Sequence, residues 1–178
     1  MVSSGALMDE GLRERTVGEY PWRVYGRSGH PAFESWSLDA WLSYPHLKVG
    51  PSSVRGRGPI DRRVAELGAE RRVAAVVPHF SMAASVLAET DLLLTVPSVA
   101  LESSRTRYGL EHREVPFEVP PMTLSVFRSA THGDEPGVRW FLERVWTACR
   151  RHTAGWSSAN TDLSMHSKPD VQSDTEEG

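Results

Sequence analysis

Short apolar segments alternate with amphipathic ones along most of the chain. Runs such as VAAVV and LLLTV are apolar at successive positions, which is typical of strands buried on both faces in a parallel sheet. Five segments predict strands: Trp22–Tyr25, Leu47–Val49, Val73–Val77, Leu92–Val96 and Thr123–Phe127. Three others have helical spacing: Ile60–Leu67, Ser81–Glu89 and Val99–Tyr108. This repetition predicts an α/β domain with right-handed crossovers.

A further helix is predicted near the end of the chain, from about Pro136 to Arg151. Asp134 can cap its first amide groups, and two arginines at its end complement the helix dipole. One stripe of this helix is apolar: Val138, Phe141, Leu142, Val145 and Cys149. Residues 152–178 are rich in Ser, Asp, Thr and Glu, and we expect them to form a disordered tail.

Composition narrows the class of protein. The 178 residues are 39% hydrophobic and 24% charged, as in ordinary globular domains. The net charge of -3 argues against general affinity for nucleic acid, and the single Cys149 excludes an internal disulfide. No apolar run is long enough to span a bilayer and no secretory signal is recognisable, so we expect a cytoplasmic protein that does not bind membranes.

The motifs of common catalytic sites do not occur. The sequence has no G-x-S-x-G elbow, no P-loop and no G-x-G-x-x-G after a strand, and its histidines lack the spacing of a metal site. We therefore expect neither catalytic residues, nor a metal, nor a cofactor.

A series of motifs resembles the effector-binding (substrate-binding) domain of LysR-type transcriptional regulators. The resemblance runs from roughly Gly11 to Arg144 and rests on the order and spacing of its parts, since none is diagnostic alone. The parts are RERT at 13–16, RSGHP at 27–31, SLDAWLSYPHLKVGPSS at 37–53, the segment RGPIDRRV to TVPS at 57–98, EVPFEVPPMTLSVFRS at 114–129, and DEPGVRWFLERV at 134–145.

The resemblance implies an α/β fold like that of type 2 periplasmic binding proteins, with a small effector between two lobes. Residues 22–115 would form a complete lobe two, and residues 116–151 the returning strand and helix of a partial lobe one. Residues 1–21 would lead in from a missing part of lobe one, and the family's N-terminal helix-turn-helix is also expected to be missing. The helix at 136–151 would then lose part of the sheet that it covers, which favours an oligomer or completion by another chain.

Two loops are candidate effector-binding sites. The loop PSSVRGR precedes a predicted helix start, where amide groups favour anions; Ser52 and Ser53 add hydroxyls and Arg55 adds positive charge. The turn Pro78-His79-Phe80 follows the VAAVV strand, at the end where open α/β sheets bind ligands, and Phe80 could stack on a ring. The alternatives are a polar surface loop for the first and a helix-starting turn, with Phe80 in the core, for the second.

Other polar residues favour structural interpretations. His30 precedes Pro31 and is expected to stabilise a turn, and His46 is expected to have a packing or surface role rather than to bind a ligand. The arginines at 55, 57, 62, 63, 71 and 72 alternate with acidic residues, as on a solvated helix face.

The sequence thus predicts the ligand-sensing part of a LysR-type regulator, which binds a small organic effector, an aromatic or a carboxylate, and forms a homo- or hetero-oligomer. We expect no DNA binding by this chain alone, since DNA contact needs the missing helix-turn-helix. The alternatives are a truncated subunit that pairs with a full-length regulator and a fragment without function.

Overall fold

The computed structural model of the chain describes residues 2–3, 11–50, 58–131 and 135–157. Its strands, in chain order, are β1 (Val2–Ser3), β2 (Leu12–Tyr20), β3 (Trp22–Arg27), β4 (His46–Val49), β5 (Val73–Val77), β6 (Leu94–Pro97), β7 (Leu110–Glu114) and β8 (Met122–Ser129). Its α-helices are α1 (Leu38–Ser43), α2 (Pro59–Glu66), α3 (Phe80–Ala88), α4 (Glu102–Arg105) and α5 (Pro136–Ser157), with 3-10 turns at Pro31–Phe33 and Ser98–Ala100.

The beginning and the end of the chain meet in one antiparallel sheet of order β1-β8-β2. Leu12 lies opposite Ser129 and Tyr20 opposite Met122, and a bulge between Thr16 and Gly18 interrupts the register. Helix α5 packs against β2 and β8, and we refer to these elements together as lobe one. Strand β2 was not predicted, because LRERTVGEY is mostly polar and its side chains are largely exposed. Pairing with β8, rather than a hydrophobic pattern, holds it in place.

The other strands form a second sheet, and we refer to this sheet and the helices on it as lobe two. Strands β6, β3 and β7 are antiparallel in that order, and β4 pairs with β5 in parallel. A bridge between His46 and Leu93 joins the two groups, with hydrogen bonds from Leu47 N to Leu93 O and from Leu93 N to Pro45 O. The sheet of lobe two therefore runs β5-β4-β6-β3-β7.

Alternation along β3 builds a core on each face of this sheet. Tyr25 belongs to one cluster and Val24 to the other, since successive side chains of a strand point to opposite faces. The first cluster contains Ala83, Ala84 and Leu87 of α3. Its other buried members are Leu47, Val77, Leu94, Val96, Leu101 and Leu110. The second contains Trp41 of α1 and Ile60 and Val64 of α2. Its other buried members are Ala32, Phe33 and Leu93. Lobe two is thus covered by helices on both faces.

Two of the predicted segments differ in the structure. Strand β5 was expected to be buried on both faces, but Val73 and Val76 are exposed because β5 is paired only with β4 and lies at the edge of the sheet. The predicted helix Val99–Tyr108 is a 3-10 turn followed by the single turn of α4, and Gly109, at a φ of 61°, ends it. The polar strand β7 follows directly and was not predicted.

Helix α5 continues to Ser157, past the expected end at Arg151 and into the segment expected to be a disordered tail. Inside this extra turn the Thr153 hydroxyl is buried and donates to Cys149 O, which satisfies it within the helix. Asp134 and residues 158–178 lie outside the described residues. At the other end of α5, Val138, Trp140 and Phe141 are exposed, so part of the apolar stripe is uncovered.

Two histidines are buried in lobe two, in structural roles. The predicted turn-stabilising role of His30 is confirmed, because its Nδ1 accepts a hydrogen bond from Ala32 N at 3.1 Å. The packing role of His46 is also confirmed: its ring contacts that of Trp41, and its Nε2 lies 2.9 Å from Trp41 O. Burial lowers the pKa of His46 to about 4.

Candidate functional site

A cavity of about 590 Å³ lies between the two lobes. Lobe one contributes Met122 and Leu124 from β8, and all other described lining residues belong to lobe two. Most of them are apolar: Trp22, Leu47, Val49, Pro59, Ile60, Phe80, Leu94, Val96, Pro97, Val99 and Ala100. This size and lining are typical of sites for small organic molecules.

The side chain of Trp22 forms part of the cavity wall, at the point where the chain passes between the lobes. The chain crosses at Pro21, between β2 and β3, and again between β7 and β8. The indole Nε1 of Trp22, which begins β3, donates to Pro120 O in the second crossing, at 2.9 Å. This hydrogen bond ties the two crossings together beside the cavity.

Three charged side chains form a network in the cavity wall. Asp61, in the first turn of α2, accepts from Lys48 Nζ of β4 at 3.0 Å and from Arg71 Nε at 2.6 Å. Its Oδ2 also accepts from Gly58 N at 3.1 Å, which caps the start of α2. The side chains of Arg71, Asp61 and Lys48 are 6%, 15% and 25% exposed, so solvent screens this network only weakly.

The network keeps Asp61 ionised. Burial by itself raises the pKa of a carboxyl group, but hydrogen bonds and positive charge from Arg71 and Lys48 outweigh it, and the pKa of Asp61 is lowered. Its carboxylate therefore carries a negative charge at neutral pH.

Arg71 has an incomplete set of hydrogen bonds. Its Nη1 is buried and has no hydrogen-bond partner within the part of the chain that the structure describes. A buried donor without an acceptor is unusual, because it has given up water without replacing it. Arg71 is also a lining residue of the cavity, so the donor belongs to a side chain at the boundary of the ligand space.

The predicted site residues fall into three groups. Ser52, Ser53 and Arg55 lie outside the described residues, although Val49 and Gly58, on either side of this segment, both line the cavity. Phe80 lines the cavity and is 44% exposed. Pro78 and His79 are exposed and are not among the described lining residues; His79 is the residue that precedes α3.

The sequence analysis missed the charged network, and its interpretation of Arg71 was wrong. Arg62 and Arg72 are exposed, as expected of a solvated face, but Arg71 is buried against Asp61. The three charged residues come from three separate segments, with no spacing that would identify them as a group. Only the position of Asp61, three residues after Gly58 at a helix start, gave a local signal, and that signal indicates capping.

A larger and more open groove, of about 1050 Å³, adjoins the cavity along Trp22, Pro59 and Met122. Its other lining residues include charges of both signs, among them Arg63, which is already paired with Glu66 and with Glu118 O. Because the groove is wider and more polar, the smaller and mostly apolar cavity is the better candidate for a small-molecule site. In the described parts of the chain no group of three or more His, Cys, Asp or Glu side chains could hold a metal ion.

Residues 1–150 match the model of the LysR substrate binding domain. The chain belongs to this family. The family match and the solved neighbours confirm the predicted fold, an α/β effector domain of the type 2 periplasmic-binding-protein class. None of the described helices is both long and apolar enough to cross a membrane.

Its curated relatives are transcriptional regulators, which are not enzymes. The chain is 28% identical over 137 residues to the HTH-type transcriptional activator NagR of a Ralstonia species, covering 76% of this chain and 45% of NagR. It is 29% identical over 121 residues to the transcriptional activator NahR of Pseudomonas putida, covering 67% of this chain and 40% of NahR. The chain thus spans about half the length of the curated relatives that it matches.

Solved structures of regulator domains share the fold of this chain. The regulatory domain of MexT, a transcriptional activator of Pseudomonas aeruginosa, is 25% identical, with a TM-score of 0.70 over 82% of this chain and 70% of that domain. The effector binding domain of QuiR, solved in complex with shikimate, is 14% identical, with a TM-score of 0.67 over 85% of this chain and 71% of that one. At this identity QuiR supports the fold alone.

Proposed function

We propose that this chain binds a small organic effector in the cavity between its lobes and that this binding controls transcription as part of a LysR-type regulator. The observation that carries the proposal is the composition of the cavity wall. Because β8 of lobe one and β3, β4 and β6 of lobe two all contribute, a ligand that fills the cavity contacts both lobes. Such a ligand has a different affinity for each arrangement of the lobes and therefore shifts their equilibrium.

The crossing segments offer a route from ligand to lobe geometry. Trp22 lines the cavity, and its indole N–H donates a hydrogen bond to Pro120 O of the second crossing. A ligand packed on its indole would favour one geometry of both crossings at once. DNA contact is not part of the proposal for this chain alone, and we place its action in the cytoplasm, where regulators meet DNA.

The relatives support a sensing role in general terms. NagR and NahR are described as transcriptional activators. The predicted site residues Ser52, Ser53, Arg55, Pro78, His79 and Phe80 remain proposals for effector contacts, and of these Phe80 lines the cavity.

Ligand-induced stabilisation of the purified chain tests the proposal. The probes are small ring-containing and straight-chain carboxylic acids, each with its amide. The midpoint of thermal unfolding is measured with each probe, and the affinity of any probe that raises it is then measured by calorimetric titration. A ligand at one hundred times its Kd adds about 2.7 kcal/mol to the free energy of unfolding. An unchanged midpoint with every acid and every amide would contradict the proposed function.

A cavity-filling substitution shows whether the ligand occupies this cavity. Leu124→Trp places an indole in the cavity from β8 and is expected to abolish the ligand-induced stabilisation by occupying the space. Thr123→Trp is the matched control, since Thr123 is exposed on the same strand and does not line the cavity. Equal ligand responses of the two variants would place the binding site elsewhere.

We also propose that the chain associates with a second polypeptide chain, as a homo- or hetero-oligomer. The support is the exposed apolar end of α5, where Trp140 and Phe141 are 62% and 59% exposed. Large exposed apolar side chains next to one another are typical of contact surfaces.

A further inference from the structure

The wall of the cavity has more positive than negative charge. Its charged residues, among those that the structure describes, are Lys48, Arg71 and Asp61. Both basic side chains are directed to the one carboxylate, Arg71 at Oδ1 and Lys48 at Oδ2. Asp61 therefore cannot neutralise Arg71 by itself.

The carboxylate of Asp61 also has little capacity left. It already accepts hydrogen bonds from Arg71 Nε, Lys48 Nζ and Gly58 N. A guanidinium group offers two parallel N–H bonds to a carboxylate in a bidentate pair, but Arg71 uses only Nε on Asp61, and its Nη1 finds no acceptor among the described residues. A buried arginine with one donor unused is suited to a second anion.

The remaining wall defines the rest of the ligand. Apart from the charged network, the described lining residues are almost entirely apolar, and the two aromatic ones, Trp22 and Phe80, offer ring surfaces. The ligand that matches this wall has an acidic group at one end and an apolar body, since an additional uncompensated charge against the apolar surface would be unfavourable.

We infer that the effector is an organic acid with one carboxylate and an apolar body, and that Arg71 is the residue that selects for the acid. This inference rests on the proposed function of the cavity. It assigns the acid group to the guanidinium of Arg71, in competition with Asp61, and the apolar body to the wall that includes Trp22 and Leu124.

Pairs of acids and amides of equal shape test the selection. The probes are monocarboxylates of about five to nine carbons, such as benzoate and cyclohexanecarboxylate, each compared with its amide by calorimetric titration of the whole chain. The acid is expected to bind at least about tenfold more tightly than its amide, because only the acid carries the charge that Arg71 attracts. Equal affinity for acid and amide would overturn the inference while leaving the proposed function intact, whereas no binding of either would contradict the proposed function itself.

Substitutions separate the role of Arg71 from general positive charge. Arg71→Met is expected to lower acid affinity about tenfold or more and to leave amide affinity unchanged. Arg72→Met is the matched control, because Arg72 is adjacent in sequence but exposed, and it should bind the acid as the wild type does. Loss of acid affinity in both variants alike would overturn the assignment to Arg71.

A second variant keeps the test decisive if Arg71→Met does not fold. Asp61→Asn removes the negative charge that competes for Arg71 but retains an oxygen that can accept from Gly58 N. If the ligand carboxylate and Asp61 compete for the same guanidinium, Asp61→Asn raises the ratio of acid to amide affinity several-fold. An unchanged or lower ratio would show that Arg71 does not select the acid.

Discussion

His46 makes the stability of lobe two depend on pH. Its imidazole is fully buried, its Nε2 is bonded to Trp41 O, and its Nδ1 has no hydrogen-bond partner among the described residues. Burial is the main cause of its lowered pKa, the nearby charge of Arg71 lowers it further, and the pKa reaches about 4. The folded chain therefore holds His46 neutral at pH values where the unfolded chain binds a proton.

The sign and size of the effect follow from this difference. Between about pH 6.5 and about pH 4 the unfolded state binds the extra proton, so the free energy of unfolding falls as the pH falls through this window. The contribution is fully present above pH 6.5 and is lost progressively on acidification. At about 1.4 kcal/mol per pH unit, the full loss is about 3 kcal/mol, of which about 2 kcal/mol occurs between pH 7 and pH 4.5. His30 and His112, whose pKa values are also lowered by burial, act in the same direction.

A comparison of two proteins isolates His46. Urea unfolding followed by tryptophan fluorescence gives the free energy of unfolding of wild type and His46→Gln at both pH values. Gln retains an N–H donor for Trp41 O but has no imidazole to protonate. On acidification from pH 7 to pH 4.5, we expect the free energy of unfolding to fall by about 2 kcal/mol less in the variant than in the wild type. The exposed His79→Gln controls for the removal of an imidazole, and equal losses in wild type and His46→Gln would refute the argument.

Two further predictions concern packing. Leu87 of α3 is fully buried, and Leu87→Ala is expected to lower the free energy of unfolding by about 2–5 kcal/mol in urea. Met82 is exposed on the same helix, so Met82→Ala is expected to change that free energy by about 0.5 kcal/mol or less. Equal losses in the two variants would contradict the assignment of the buried and exposed faces of α3. The double variant Trp140→Asp and Phe141→Asp is expected to keep the unfolding midpoint of the wild type, because both side chains are exposed. It is also expected to reduce self-association of the chain at high concentration. An unchanged particle mass in light scattering would count against association through α5.

Hydrophobic patterning predicted the elements whose side chains enter a core. The interior strands β3, β4 and β6 and the helices α2 and α3 lie close to their expected positions, because Val24, Leu47, Leu94, Val64 and Leu87 are all buried. These residues carry their signal locally, through the spacing of apolar positions.

Elements that depend on pairing rather than burial were not predicted. Strand β2 is mostly polar and exposed, and it is a strand because β8 hydrogen-bonds along its length. The opposite error occurred at β5, where the apolar VAAVV suggested a buried strand although the sheet ends there. Strand order is set by long-range contacts, and so the exposure of an edge strand cannot be obtained from its own five residues.

The same limit explains why the charged network could not be predicted. Adjacent arginines next to acidic residues normally form a solvated surface, and Arg72 does so. Arg71 is the immediate neighbour of Arg72 in the sequence, but its side chain contacts Asp61 on α2 and lines the cavity instead of facing solvent. Burying a guanidinium is unfavourable unless its charge is compensated, and Asp61, shared with Lys48, provides only part of that compensation. An acidic ligand would supply the rest, so the residue that local sequence assigned to the surface becomes the one most able to distinguish an acid from its neutral analogue.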